Sequence, residues 1–423
     1  MRGLQQTWGA TGQRWLWLGY GLVLVLAPGV FSSGLGLSIL SQIGVAIIAC
    51  LSYNLLLGQG GMLSFGHAVY TGAGAFGAMH LLRLIEGGLA WPVVLVPLAG
   101  GLLAWLLALP LGWISTRRSG VAFAMITLAL GELVWATAQM LPSVFGGEGG
   151  LTGNRGAGPA VFGIGFGSPM ALYYLIAAHV LVCTALLAAL RRTPLGCMLV
   201  AVRDNPQRVA FLGYDPNQLR FLAFVLAAFF AGVAGGLAAL VFEIVTSEVF
   251  SASRSGSYLL FTYLGGTPFF AGPILGAVLM VLTLVWLSGL TRAWLLYLGV
   301  LFVAMVVWAP GGVASVLAHW VELARRGLLR RLWGSYLAMV LTALLAFVGV
   351  AAMVEMLYQL QLRDALGSEL LFLGASIDAL DANSWVGAGL TLLTGVGLFG
   401  VCRHQLQRDQ QAVDAVPSGS EAR

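Results

Sequence analysis

Apolar runs long enough to cross a bilayer recur along the whole chain, at 16–33, 36–57, 62–82, 91–114, 120–141, 170–190, 220–242, 273–290, 293–309, 336–354 and 385–401. A membrane-crossing helix needs about 20 mostly apolar residues, and within the bilayer every backbone amide must be paired by the protein itself. No other feature limits the fold so strongly. Only 9% of the 423 residues are charged, against about 25% in a soluble domain. So much apolar surface could not be covered in water, and bilayer is its natural solvent. The 58 glycines fit as well, because small residues let membrane helices approach closely. The expected fold class is all-α: a polytopic transmembrane helical bundle.

Arginine sets the orientation. Clusters fall at Arg2/Arg14, Arg117/Arg118, Arg191–Arg220, Arg325–Arg331 and Arg403/Arg408, and the positive-inside rule places all of them in the cytoplasm. Even numbers of spans must then separate successive clusters. Between Arg220 and Arg325 only three clear runs occur, so the short stretch 256–266 must cross too. Gly265, Gly266 and Pro268 interrupt it. It reads either as the wall of a pathway or as a helix end packed inside the bundle. The expected total is twelve spans, about ten in a core and two more at the C-terminal end, with both termini cytoplasmic. Arg2 and Arg14 before the first apolar run resemble a signal peptide. No small-x-small cleavage site follows, and the run reads as an uncleaved span. Trp8, Trp15 and Trp17 suit an interfacial belt.

Several chemistries are excluded. Every one of the 21 basic residues is arginine. No G-x-x-x-x-G-K-[ST] phosphate loop can exist without lysine, so the chain does not hydrolyse ATP that way. The net charge of +5 is spread over loop ends rather than gathered on one face, which argues against nucleic-acid binding. Cys50, Cys183, Cys197 and Cys402 show no CxxC spacing, so neither a disulfide framework nor a zinc site is indicated. No metal-ligand cluster, nucleophile–base pair or bound cofactor is expected. The credible intramembrane charge is Glu132. With His67, His80 and His179 it makes a thin set for a proton relay, whereas sodium coupling through backbone carbonyls would leave little trace.

The densest charge lies in one loop, "RRTPLGCMLVAVRDNPQRVAFLGYDPNQLRFLAF", from Arg191 to Phe224. Leu195–Val202 is apolar and helical in character. Pro206 can start a second helix with Asn205 or Asp204 as its cap. Gly213 closes it as a C-terminal glycine. Tyr214, Asp215, Pro216 and Asn217 then turn into a helix continuous with the next span. This reads as a short, capped, amphipathic helix at the membrane surface. The plainer reading is a solvated loop with positive-inside bias.

The loop sequence "PLGCMLVAVRDNPQRVAFLGYD" (194–215) and the following "LRFLAFVLAAFFAGVAGGLAAL" (219–240) resemble the LivM-like membrane permease of branched-chain amino acid ABC importers. So do "YNLLLGQGGMLSFGHAVYTGAGAF" (53–76), "SGVAFAMITLALGELV" (119–134) with "GGEGGLTG" (146–153), and "LGGTPFFAGPILGA" (264–277) with "WAPGG" (308–312), all in the family's order. The match runs over 15–318. Residues 319–423 fall outside it: an arginine-rich linker at 319–334, a two-span segment at 335–402 and a polar tail at 403–423. "YLLFTYLGG" and "TPFF" depart from the family's usual pattern at 258–270.

The resemblance implies a permease of the bacterial inner membrane. It would work with separate ABC ATPase subunits that use the ATP, a second related permease, and a periplasmic substrate-binding protein. Its cargo would be a branched-chain or other hydrophobic amino acid, although relatives also move urea, short amides and aromatic acids. The 194–215 loop would be the coupling helix that docks on the ATPase. Arg203, Asp204 and Arg208 would give polar contacts and Leu199, Val202 and Phe211 an apolar face, framed by Asn205, Gly213, Tyr214 and Asp215.

Asn54, Gln59, Ser64 and His67 surround the Gly58–Gly60–Gly61 break. They either line a translocation path or satisfy backbone groups that the break frees. Thr127 and Glu132 are further path candidates, Glu132 either as partner of a substrate ammonium group or as a group that fixes a neighbouring helix. The glycine-rich stretch 145–159 either meets a binding protein or is a flexible connection. Two rival readings are an ion-coupled secondary transporter and a non-transporting membrane scaffold.

Overall fold

The computed structural model describes residues 10–159, 163, 165–291, 293–325, 329–361, 369–372, 375–378 and 380–414. Arg2, Trp8 and the tail beyond Asp414 lie outside them. The protein is an all-α polytopic helical bundle. Its main helices are α1 (Ala10–Val30), α2 (Gly34–Asn54), α3 (Ala68–Glu86), α4 (Val96–Ser115), α5 (Val121–Met140), α6 (Pro169–Leu190), α7 (Pro194–Asp204), α8 (Pro206–Phe211), α9 (Pro216–Phe242), α10 (Ala252–Gly265), α11 (Gly272–Leu282), α12 (Trp294–Trp308), α13 (Gly312–Arg325), α14 (Leu329–Gln361) and α15 (Ala382–Asp414). Among the described residues, 7 helices are long and apolar enough to cross a membrane, or 8 if the bent pair 294–307 and 312–324 is one span. That is fewer than the twelve spans expected; Trp17–Val30 and Gly272–Leu287 are apolar but shorter.

The chain forms two compact units: Met1–Val285 with Phe302–Ser315, and Trp286–Leu301 with Val316–Arg423. In the first, α9 is the central helix, and its packing is backbone on backbone. A Cβ placed on Gly235 would overlap the Thr71 carbonyl oxygen of α3. One on Gly74 would overlap the Gly232 carbonyl of α9, and one on Gly100 of α4 would meet the Gly74 carbonyl at 2.5 Å. In lipid no hydrophobic force drives helices together, so close van der Waals approach must hold them. Small residues are where that approach is possible.

α9 begins at the 191–215 loop and ends at a two-stranded antiparallel ribbon, β1 (Leu151–Thr152) with β2 (Ile244–Val245). These mark the loop end and the ribbon end of the unit. The glycine-rich stretch at the ribbon end is tied down. Arg155 Nη1 donates to the Leu240 carbonyl at 2.9 Å and lies 3.7 Å from the Glu243 carboxylate. Arg83 Nε donates to the Thr152 carbonyl at 3.0 Å, and the Asn154 amide donates to Glu86.

The expected short element at 256–266 is α10, 14 residues capped by the Ser251 hydroxyl. After β2 the chain turns inward through a 3-10 turn, Ser247–Phe250, whose buried Phe250 stacks on Phe76 of α3 with ring centroids 5.3 Å apart.

In the second unit, α14 and α15 pack antiparallel. Gly349 lies against Leu392 and Gly395 against Ala346. Between them in the chain runs a hairpin, β3 (Glu369–Phe372) with β4 (Ala375–Asp378). Glu355 of α14 accepts hydrogen bonds from the Thr291 hydroxyl and, at 3.2 Å, from the Tyr297 hydroxyl. The C-terminal extension therefore grips Trp286–Leu301, a stretch that belongs by sequence to the family-like part of the chain. Glu355 escaped the sequence reading because it sits one residue beyond the 336–354 run. The helix in fact continues to Gln361 and encloses it.

Candidate functional site

The site is built on a broken helix. α2 does not stop at Asn54 but widens into a π-helical turn, Leu55–Gln59, a distortion often found at functional positions. The chain then crosses to α3 through 60–67, with Gly61 in the left-handed region at φ +63°. Gly58 has no room for a side chain: a Cβ would overlap Asn54 Oδ1 and meet the Thr267 carbonyl at 2.7 Å. Thr267 opens the unusual "TPFF" segment. At its other end, the Phe270 ring lies under the Arg191 guanidinium at 5.3 Å.

One candidate, Thr127, and one further residue, Ser255, do the work of backbone satisfaction. The Thr127 hydroxyl accepts from the Phe65 amide at 3.1 Å and donates to the Ala124 carbonyl. Ser255, which the sequence reading missed, accepts from the Ala68 amide at 3.0 Å. The other four candidates each keep an unpaired buried atom: Asn54 Oδ1, Gln59 Oε1, Ser64 Oγ and His67 Nδ1. Ser52 fixes the character of His67. Its hydroxyl proton goes to the Ala49 carbonyl at 2.7 Å, so the 2.9 Å contact between Ser52 Oγ and His67 Nε2 is donated by the imidazole. His67 is then the Nε2–H tautomer, and Nδ1 is a bare acceptor. Three of the four unpaired atoms are thus acceptors. Each such group costs about 1–3 kcal/mol if nothing ever meets it.

Glu132 is placed differently from expectation. It lies on the exposed face of α5 with no hydrogen-bond or ion-pair partner among the described residues, while Thr127 and Gly131 of the same helix face inward. It does not join the break. The apolar run around it hid its orientation, since both faces of α5 are hydrophobic.

The loop folds as its caps dictate. Thr193 caps α7, the Asn205 side chain accepts from the Arg208 amide at 3.0 Å to cap α8, and Asp215 caps α9 through the Asn217 amide at 2.9 Å. Gly213 takes φ +89°. Its faces, however, correct the expectation. Leu199 and Val202 are buried in the protein's own bundle, as is Val209. They root the loop and offer no outer surface. Of the expected apolar face only Phe211 is exposed (92%), and Leu212 (65%) and Tyr214 (49%) join it. Asp204, Asn205, Arg208, Gly213 and Asp215 are exposed.

Arg203 joins loop to break. Its Nη1 donates to the Gly58 carbonyl at 2.5 Å, and its side chain lies over Gly61, where a Cβ would come within 2.6 Å of Arg203 Cγ. Asp204 steadies it, with Oδ1 3.0 Å from Nε. An exposed neighbour pair of this kind contributes little stability by itself. Its effect is to aim the guanidinium.

Residues 35–310 match the family model described as branched-chain amino acid transport system / permease component. The chain belongs to that family. This permease is 29% identical over 329 residues to the high-affinity branched-chain amino acid transport system permease proteins LivM of Salmonella typhimurium and Escherichia coli, covering 72% of this chain and 76% of each relative. It is 26% identical over 276 residues to a probable branched-chain amino acid transport permease protein LivH of Methanocaldococcus jannaschii, covering 62% of this chain and 85% of that one. No solved structure matches it significantly. The break, α5, the loop and α10 all lie inside the matched region of the permease, whereas α14 and α15 lie outside it.

Proposed function

We propose that this permease is the membrane subunit of an ATP-driven ABC importer in the bacterial inner membrane. It translocates branched-chain or other hydrophobic amino acids handed over by a periplasmic binding protein. Separate ATPase subunits use the ATP, and both termini and the 191–215 loop are cytoplasmic. The observation that carries this reading is the Arg203–Gly58 contact, which ties a capped surface loop to a π-widened, acceptor-lined break. Phe211, Leu212 and Tyr214 form the face that an ATPase cleft takes up. ATP need only favour one of two loop positions to shift the break between states. Asn54, Gln59, Ser64 and His67 then present acceptors to a passing ammonium group.

In proteoliposomes holding the complete importer, leucine uptake is expected to require ATP and to survive an ionophore. Phe211→Ser with Leu212→Ser is expected to lose the co-purifying ATPase, since burial of two such side chains supplies about 1.5–3 kcal/mol each. Uptake that persists without ATP and collapses with the ion gradient would replace this reading with a secondary transporter.

Glu132 supports a second permease subunit. A carboxylate exposed at bilayer depth costs about 2.5–3.5 kcal/mol on insertion scales and needs a donor, which this chain does not provide among the described residues. We place the second permease against this face of α5. Glu132→Leu is expected to reduce its co-purification severalfold, in keeping with about 1 kcal/mol for one interhelical hydrogen bond. A lipid-facing Glu132 would leave the pairing unchanged.

A further inference from the structure

A cavity of about 110 Å³ opens at the ribbon end of the first unit, walled by α2, α3, α9, α10, α11 and the inward-turning segment after β2. None of the sequence candidates lines it. Most of its wall is apolar, with Ala46, Val249 and Met280 among the lining residues. An apolar cavity of about 150 Å³ accepts benzene, so this one has room for a branched aliphatic side chain.

Its polar groups are few, and three of them keep hydrogen-bonding capacity to spare. Arg254, in the first turn of α10, lines the cavity, and its guanidinium has no hydrogen bond or ion pair among the described residues; only its backbone amide is held, by the Ser251 hydroxyl. Gln42 of α2 donates its amide nitrogen to the Ser38 hydroxyl at 3.3 Å, leaving its amide oxygen free to accept. Tyr258, one turn beyond Arg254 on α10, adds a hydroxyl without a partner among the described residues. An unpaired guanidinium at the mouth of an apolar cavity can take an anion, and it matches a carboxylate in two-point geometry. The neutral acceptors that share the lining, Gln42 and Tyr258, suit an ammonium group without adding a second charge.

We propose that this cavity is an entry subsite for an amino-acid zwitterion. Arg254 takes the α-carboxylate, the Gln42 amide oxygen and the Tyr258 hydroxyl take the ammonium group, and Ala46, Val249 and Met280 surround the aliphatic side chain. The proposal deepens the importer reading and rests on it for the direction of transport. It also selects among substrates: urea and short amides, which carry no carboxylate, leave Arg254 unpaired and are rejected.

The test separates the two. The purified full-length permease in detergent is titrated with leucine and with leucinamide, following the thermal unfolding midpoint, for wild type, Arg254→Gln and Arg254→Lys. Arg254 is exposed, so the variants are expected to fold. Leucine is expected to stabilise wild type. Leucinamide and the Arg254→Gln variant are expected to show at least a tenfold weaker response, and Arg254→Lys an intermediate one. Equal responses to leucine and leucinamide, an unchanged Arg254→Gln, or no leucine response up to its solubility overturn the subsite. ATP-driven uptake by the assembled importer is measured separately. Uptake in wild type that is unchanged in Arg254→Gln refutes the subsite and leaves the importer standing. Leucine binding without ATP-driven uptake refutes the importer and leaves the subsite.

Discussion

Replacing Gly74 by leucine is expected to remove folded permease from the membrane. Three backbones converge at this point: a Cβ on Gly74 would occupy the Gly232 carbonyl, and the Gly74 carbonyl itself lies where a Cβ on Gly100 would go. Ordinary overpacking costs about 1–3 kcal/mol because side chains can shift. Here the obstacle is main chain on two neighbouring helices, and relief requires moving α3, α4 and α9 apart. That separation would expose the buried faces of all three helices. Size-exclusion profiles of a fluorescent fusion, extracted in mild detergent, provide the measurement. The expected result is loss of the monodisperse peak. Gly19→Leu and Gly21→Leu serve as controls, because nothing lies within 4 Å of a Cβ at either position. A normal Gly74→Leu profile would show that the glycine crossing does not hold the bundle together.

The second large effect is expected at Arg203. Arg203→Ala should leave the ATPase bound, because the exposed docking residues Phe211, Leu212 and Tyr214 are untouched. It should nevertheless reduce ATP-driven uptake at least tenfold. A hydrogen bond from a charged group contributes about 1.5–3 kcal/mol, and this bond joins the loop to the Gly58 carbonyl at the break. Arg203→Lys keeps the charge and most of the stem over Gly61 but not the fork, and is expected to fall between wild type and alanine. Asp204→Ala should have a smaller effect, because Asp204 only steadies the guanidinium. The readout is uptake per ATP hydrolysed, compared with the amount of ATPase recovered. Unchanged uptake in Arg203→Ala would mean that the loop moves the bundle through its buried root, Leu199, Val202 and Val209, instead.

Much of this architecture was legible in the residues. Apolar runs gave the bundle, and the interrupted stretch at 256–266 gave the short α10. In the loop, Asn205, Pro206, Gly213 and Asp215 act through their nearest neighbours in the chain, so local chemistry was enough to place its turns. The polar break was visible in Gly58, Gly60 and Gly61, because glycines at such density do not continue a helix comfortably.

Facing was not legible. Leu199, Val202 and Phe211 are alike in hydropathy, yet two are buried against the bundle and one stands free. Glu132 read as a group inside the bundle and lies on its outer face. In a helix apolar all round, periodicity carries no information about which side meets protein. Arg254 stands outside every arginine cluster of the sequence, and Gln42 lies within an apolar run. Only the inward turn after β2 brings α10 beside α2 and opens a cavity between them.

The sequence by itself thus determined solvent, helix composition, caps and breaks, because each depends on a residue's own chemistry and that of its close neighbours. The tertiary structure alone decided which polar atoms stay unpaired, which apolar residues remain exposed, and that Arg203 reaches across 145 positions of chain to the Gly58 carbonyl. Those outcomes depend on how helices far apart in sequence close on one another, and at their crossings closure is set by where backbone meets backbone.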